Sequence, residues 1–105
     1  AHGEGRFTTK EKGLAERLQK NGQLVFQYCD KEGRVKDEFP VNPNGSMLNA
    51  AAICNPAGNV MAIMPHPERA SWKRQLPDHK GSFEELEKPA MANKIFQAMR
   101  KYMEK

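Results

Sequence analysis

Large apolar side chains are scarce in this sequence: Leu, Ile, Val and Phe together make up 18 of its 105 residues. That is under the fifth that usually separates compositions able to build a globular core from disordered ones. A chain of this length folds as one domain at most and buries only about two-thirds of the surface its unfolded state exposes. An excess of one charge is lacking too. The net charge is +4, too little to hold a chain open, and apolar runs are plainly present. A piece of a larger core fits both facts. No basic stripe with interleaved aromatics occurs, which argues against nucleic acid as a partner. Lys10, Lys12, Arg17 and Lys20 are spaced as solvated helix positions. The two cysteines, Cys29 and Cys54, lack CxxC or metal-finger spacing, so no metal site is expected and both read as buried free thiols in a reducing cytoplasm. No stretch approaches the ~20 apolar residues of a membrane helix, and no signal peptide is visible. The sequence opens on Ala1 rather than Met and runs straight into HGEGRF, as a chain cut from something longer would.

What is present reads as short elements joined by loops. Thr8-Thr9-Lys10-Glu11 has the Thr-x-x-Glu form of a capping box. Leu14, Ala15 and Leu18 then recur at helical spacing and Asn21-Gly22 supplies a stop, which predicts a helix of about ten residues. Gln23 to Tyr28 predicts a strand, and Asp30-Lys31-Glu32-Gly33 a turn. The segment FPVNPNGS, Phe39 to Ser46, is too rich in Pro and Asn for a regular element and predicts a structured loop. Two strands follow, Ala50 to Cys54 and Asn59 to Met64, joined by the hairpin-forming Asn55-Pro56-Ala57-Gly58. Residues 70–88 predict an irregular excursion with a short helical turn around Phe83 to Leu86. His79 reads as a loop residue there, and Trp72 and Phe83 as side chains packed over the loop's own core or as partner contacts. Pro89 suits a first helical position, and Met91, Ile95, Ala98, Met99 and Tyr102 then form one apolar helix face that needs a covering surface.

The chemistry concentrates in Met64-Pro65-His66-Pro67-Glu68-Arg69. A histidine and a carboxylate stand two residues apart directly after a strand, and alternate side chains of extended chain point the same way. Pro67 stiffens the backbone between them. A base that takes and returns a proton works best when a carboxylate fixes its tautomer and stabilises its cation, so the spacing suits a base and its orienter. Isolated His and Glu at this spacing are as a rule ordinary surface residues. Arg69 reads equally as a salt-bridge partner or as a surface side chain.

The opening HGEGRF, the NPNGS loop and the string MPHPERA closing a hydrophobic strand, in that order along the chain, resemble the class I glutamine amidotransferases. Among these they resemble the glutaminases of phosphoribosylformylglycinamidine synthases in particular. The resemblance covers nearly the whole chain and is least specific over residues 70–88. It implies an α/β fold, flavodoxin-like, with a mostly parallel sheet and flanking helices. Residues 1–105 would form the C-terminal half of that domain, contributing a late strand, an antiparallel hairpin and the last helix. It also implies a Cys-His-Glu triad that hydrolyses glutamine to glutamate and ammonia, with His66 as base and then acid and Glu68 as its orienter. The ammonia would pass to a synthetase that uses ATP and magnesium to amidate formylglycinamide ribonucleotide in purine biosynthesis, no cofactor being held by this chain. His2, Gly3 and Glu4 match the part of the fold that lines the glutamine pocket, although Gly3 and Gly5 serve equally well to turn a strand into a loop.

One departure stands out. The family's nucleophilic cysteine, in a Gly-x-Cys-x-Gly elbow, does not occur among these 105 residues. Neither Cys29 nor Cys54 leads into a helix N-terminus, the feature that activates a thiol and supplies oxyanion donors. The expected partners are therefore glutamine, the N-terminal half of the domain with its cysteine, and a synthetase. Two alternatives remain open: a non-catalytic remnant that serves as an interaction module of a synthetase complex, or part of another class I amidotransferase.

Overall fold

A computed structural model describes residues 5–77 and 81–104. The chain divides into two compact units, Ala1–Pro65 and His66–Lys105.

The first unit is built on helix α1 (Leu14–Lys20) and a three-stranded sheet of β1 (Leu24–Gln27), β2 (Ala50–Cys54) and β3 (Met61–Ile63), in the order β1-β2-β3. Helix α1 starts later than the capping-box pattern predicts. The Thr9 hydroxyl accepts from the amide of Glu11, while the Thr8 hydroxyl lies against the sulfur of Met47. The helix instead opens after Gly13, whose φ of 78° is a conformation that costs glycine little. The end of the helix matches the expected stop. The Gly22 amide donates to the Gln19 carbonyl (3.3 Å) and that of Gln23 to Leu18 (2.8 Å), the paired bonds of a Schellman motif with Gly22 left-handed.

Both strand pairings are antiparallel, and β2 is central. Its Ala50, Ala51 and Ala52 are buried, with Leu18 the other buried apolar residue among the described residues of this unit. Small side chains make this core shallow. Among the described residues no large side chain is fully buried, while Phe39, Val60 and Phe26 stand exposed. The apolar deficit of the composition thus appears as a sheet without a thick cover on its faces. A cavity of about 180 Å³ lies over it, bounded by Arg6, Phe7 and residues of β2 and β3. Strand β3 is shorter than predicted because Asn55 captures its first residues. The Asn55 side-chain oxygen accepts from the amides of Asn59 and Val60, both at 3.0 Å, and these close the hairpin loop rather than extend the ladder.

The Pro- and Asn-rich segment is the structured loop its composition predicts. Asn42, Ser46 and Asn49 are buried polar residues that satisfy one another. The Asn42 amide group donates to the Ser46 carbonyl (2.8 Å) and to the Asn49 side-chain oxygen (3.1 Å), and its own oxygen accepts from the Ser46 amide (3.0 Å). Ser46 Oγ donates to the carbonyl of Ala50 at 2.7 Å, carrying the network into β2. Leu48 and Asn49 both take left-handed backbone conformations, φ 59° and 53°, an uncommon arrangement for non-glycine residues.

The second unit contains two 3₁₀ turns, Pro67–Arg69 and Lys73–Gln75, then α2 (Phe83–Leu86) and α3 (Asn93–Met103). Helix α2 falls where the sequence predicts it, capped by the Ser82 hydroxyl, which accepts from the Glu85 amide at 3.3 Å. The final helix does not begin at Pro89. Residues 71–73 pair with 88–90: the Lys73 amide donates to Lys88 (3.0 Å), the Ala90 amide to Ser71 (2.8 Å), and Trp72 bridges to Pro89. This pairing holds Pro89 extended and delays α3 to Asn93. Helix α3 packs against the Pro67–Arg69 turn, yet none of its residues is buried. Its apolar face, including Met99 and Tyr102, stands open.

Candidate functional site

His66 and Glu68 meet. The imidazole Nδ1 lies 2.7 Å from Glu68 Oε1, a charge-assisted hydrogen-bond length. The backbone reason differs from the alternation expected of an extended chain. His66 itself is extended (φ −98°, ψ 93°), but Pro67 starts a 3₁₀ turn through Arg69, with His66 at its N-cap. Proline at the first helical position costs nothing, since its missing N–H would lack a partner there and its φ suits a helix. The turn curls the Glu68 side chain back towards the imidazole. The turn is closed by the Arg69 amide donating to the His66 carbonyl, at 3.0 Å.

Glu68 is held ionised. Its own backbone N–H and then the His66 imidazole hold its carboxyl below the usual carboxylate range, and the nearby Arg69 charge adds to the effect. With the carboxylate accepting, Nδ1 carries the proton and the opposite ring nitrogen, Nε2, remains available as a base. Both side chains are accessible, His66 at 38 % and Glu68 at 58 %. The pair can therefore reach a reacting group brought from outside the unit.

The sequence does not announce what braces this turn. Ser71, buried, donates its hydroxyl to the Pro67 carbonyl at 2.6 Å. The Gln75 carboxamide donates to the Glu68 carbonyl (3.1 Å) and accepts from the backbone amides of Ser71 and Trp72, each at 3.0 Å. The paired segments 71–73 and 88–90 form the frame behind them. Arg74 reaches Glu87 (2.7 Å), and Glu85 binds both Lys73 and Lys88. These two lysines hold the Glu85 carboxyl down to about 2. Arg74 also lies over the Trp72 ring, 5.9 Å from its centroid, whereas Phe83 is largely exposed.

The remaining candidates fare differently. His2, Gly3, Glu4 and His79 lie outside the described residues. Next to the opening motif, the Asn44 side chain donates to the Gly5 carbonyl, and the Met47 amide donates to the Phe7 carbonyl at 3.0 Å. Residues 5–7 of the opening motif thus neighbour the NPNGS loop and Met47. Cys29 is exposed and Cys54 half-buried at the end of β2, and both are free thiols. No helix begins after either. Among the described residues no cluster of His, Cys, Asp and Glu could hold a metal ion, and no helix is long and apolar enough to cross a membrane.

The model of the CobB/CobQ-like glutamine amidotransferase domain matches residues 1–103. A phosphoribosylformylglycinamidine synthase subunit PurQ from Methanothrix thermoacetophila is 43% identical over 104 residues, 99% of this chain and 38% of that protein. PurQ of Aquifex aeolicus is 52% identical over 71 residues, 68% of this chain and 30% of that protein. A probable phosphoribosylformylglycinamidine synthase of Arabidopsis thaliana, chloroplastic/mitochondrial, is 39% identical over 105 residues, which are 8% of its length. The chain thus spans well under half the length of these curated relatives. With a family model matched almost end to end and relatives of this identity, the chain belongs to the CobB/CobQ-like glutamine amidotransferase domain family.

Proposed function

We propose that this chain supplies the histidine and the glutamate of a Cys-His-Glu triad in the glutaminase component of a phosphoribosylformylglycinamidine synthase. The observation that carries the reading is the 2.7 Å contact between His66 Nδ1 and Glu68 Oε1, which leaves Nε2 to act. In the reaction, Nε2 takes the proton of a cysteine thiol, and the thiolate attacks the side-chain amide carbon of glutamine. The imidazolium, stabilised by Glu68, returns the proton to the leaving nitrogen, and ammonia departs from a thioester. Water, deprotonated by the same imidazole, then hydrolyses the thioester to glutamate. The cysteine comes from a Gly-x-Cys-x-Gly elbow in the N-terminal half of the domain, and His2, Gly3 and Glu4 line the glutamine pocket. The ammonia passes to a synthetase, which spends ATP with magnesium to amidate formylglycinamide ribonucleotide in the cytoplasm. This chain holds no cofactor of its own.

The test is the full-length amidotransferase assayed with its synthetase for glutamine hydrolysis, with and without His66→Ala. The reading predicts loss on the order of 10⁴-fold or more in kcat, as for removal of a triad base. Undiminished ammonia release from the variant would refute it and favour a non-catalytic interaction module. The position of Cys29 and Cys54, neither on an elbow, is the one observation that favours that second reading.

A further inference from the structure

The His66–Glu68 pair rests on a short turn held by a few hydrogen bonds, among them that of Ser71 Oγ to the Pro67 carbonyl. Both side chains are solvent-accessible, so water competes for each partner and the hydrogen bond alone fixes neither side chain. Its geometry must therefore come from the backbone of residues 66–69. Within the turn, the His66 and Pro67 carbonyls are engaged locally, by the amides of Arg69 and Ala70. The Glu68 carbonyl is engaged by Gln75 alone among the hydrogen bonds of the described residues. That bond spans seven residues and ties the turn to the paired segments 71–73 and 88–90, where the same carboxamide also accepts from two amides. Gln75 is thus a three-point clamp: one arm on the peptide that carries Glu68, two on the frame.

We infer that Gln75 is a positioning residue for the proposed triad, setting the Glu68 peptide so that its carboxylate meets His66 Nδ1. The inference rests on the function proposed above. Among the hydrogen bonds of the described residues, Gln75 reaches the pair through the Glu68 carbonyl and not through His66 or the Glu68 carboxylate. Without that arm, the 68–69 peptide is held through its N–H alone, by the Arg69–His66 bond, and its carbonyl tilts; the Glu68 carboxylate moves away from Nδ1, and the imidazole loses the acceptor that fixes its tautomer. Substrate binding is not involved, so the loss falls on kcat rather than on KM.

Two substitutions separate the arms. Gln75→Met removes all three bonds with little change in length. Gln75→Glu keeps an acceptor for the Ser71 and Trp72 amides but has no donor for the Glu68 carbonyl. The full-length amidotransferase with its synthetase is assayed for kcat and KM, and the His66 ring Nδ1–H is followed by proton NMR. Both variants are expected to lose roughly ten- to hundredfold in kcat, the scale of a misplaced catalytic group. KM should stay within about threefold and the Nδ1–H resonance should broaden or vanish in both. If Gln75→Glu works like the wild type while Gln75→Met fails, the side chain merely braces residues 71–72 and the inference is overturned. It is equally overturned if Gln75→Met retains full kcat. Should His66→Ala retain activity in the same assay, the catalytic reading itself falls, an outcome distinct from either.

Discussion

Replacing Asn42 by alanine should destabilise the protein by about 2–6 kcal/mol, and the range follows from its hydrogen-bond network. The side chain is buried, and its Nδ2 has two hydrogens to give. Three acceptors surround it: the Ser46 carbonyl at 2.8 Å, Asn49 Oδ1 at 3.1 Å and Asp37 Oδ1 at 3.3 Å. The two nearest take those hydrogens, and the side-chain oxygen accepts from the Ser46 amide at 3.0 Å. Alanine removes both donations, each worth about 0.5–1.5 kcal/mol, and leaves the Ser46 amide unsatisfied at a further cost of about 1–3 kcal/mol. Asn42→Asp is the informative companion. It keeps an acceptor for Ser46 but turns a negative carboxylate towards the Ser46 carbonyl, Asn49 Oδ1 and Asp37, so it should not rescue stability. Urea denaturation of the full-length protein, comparing midpoints at constant slope, measures both. A shift below about 0.5 kcal/mol for Asn42→Ala, or wild-type stability for Asn42→Asp, would refute the reasoning.

Two further outcomes are expected. Glu85 is depressed from 4.5 to about 2 by Lys73 and Lys88. Its ionised form therefore favours the folded state above the unfolded value, and that contribution fades as pH falls from about 4.5 towards 2. Carboxyl-carbon NMR titration should find Glu85 titrating near 2 and moving up towards 4.5 in Lys73→Met/Lys88→Met; an unmoved titration would count against the pairing. The 105-residue chain alone, with its open sheet faces and the exposed α3 face, should bind a hydrophobic dye and self-associate in sedimentation. A monomeric, cooperatively melting sample would contradict this.

Much of the site was legible because its determinants are local. Ala50–Cys54 and Phe83–Leu86 follow from residue type and punctuation, and the meeting of His66 with Glu68 follows from two-residue spacing around a proline. Two of the misreadings share a cause, which is tertiary pairing taking precedence over a local signal. The Thr8–Glu11 pattern fails as a cap because Met47 engages the Thr8 hydroxyl and the Thr9 amide. Pro89 fails to open a helix because residues 88–90 pair with 71–73. The mode by which His66 reaches Glu68, a 3₁₀ turn rather than extended chain, depends on the Arg69–His66 bond that no periodicity reports. Gln75 was silent for the same reason, since its three partners are brought to it by an irregular path. The sheet described here is antiparallel throughout, the hairpin portion of the fold that the resemblance implies.

The central claim is that Glu68 orients His66 for catalysis. Its most direct test is the steady-state glutaminase kinetics of the full-length protein carrying Glu68→Gln, measured alongside its synthetase. The amide matches the carboxylate in shape but can donate to Nδ1, which favours the wrong tautomer. The account predicts kcat reduced by roughly 10³- to 10⁴-fold with KM within about threefold of wild type. A variant that turns over glutamine at the wild-type rate would contradict it.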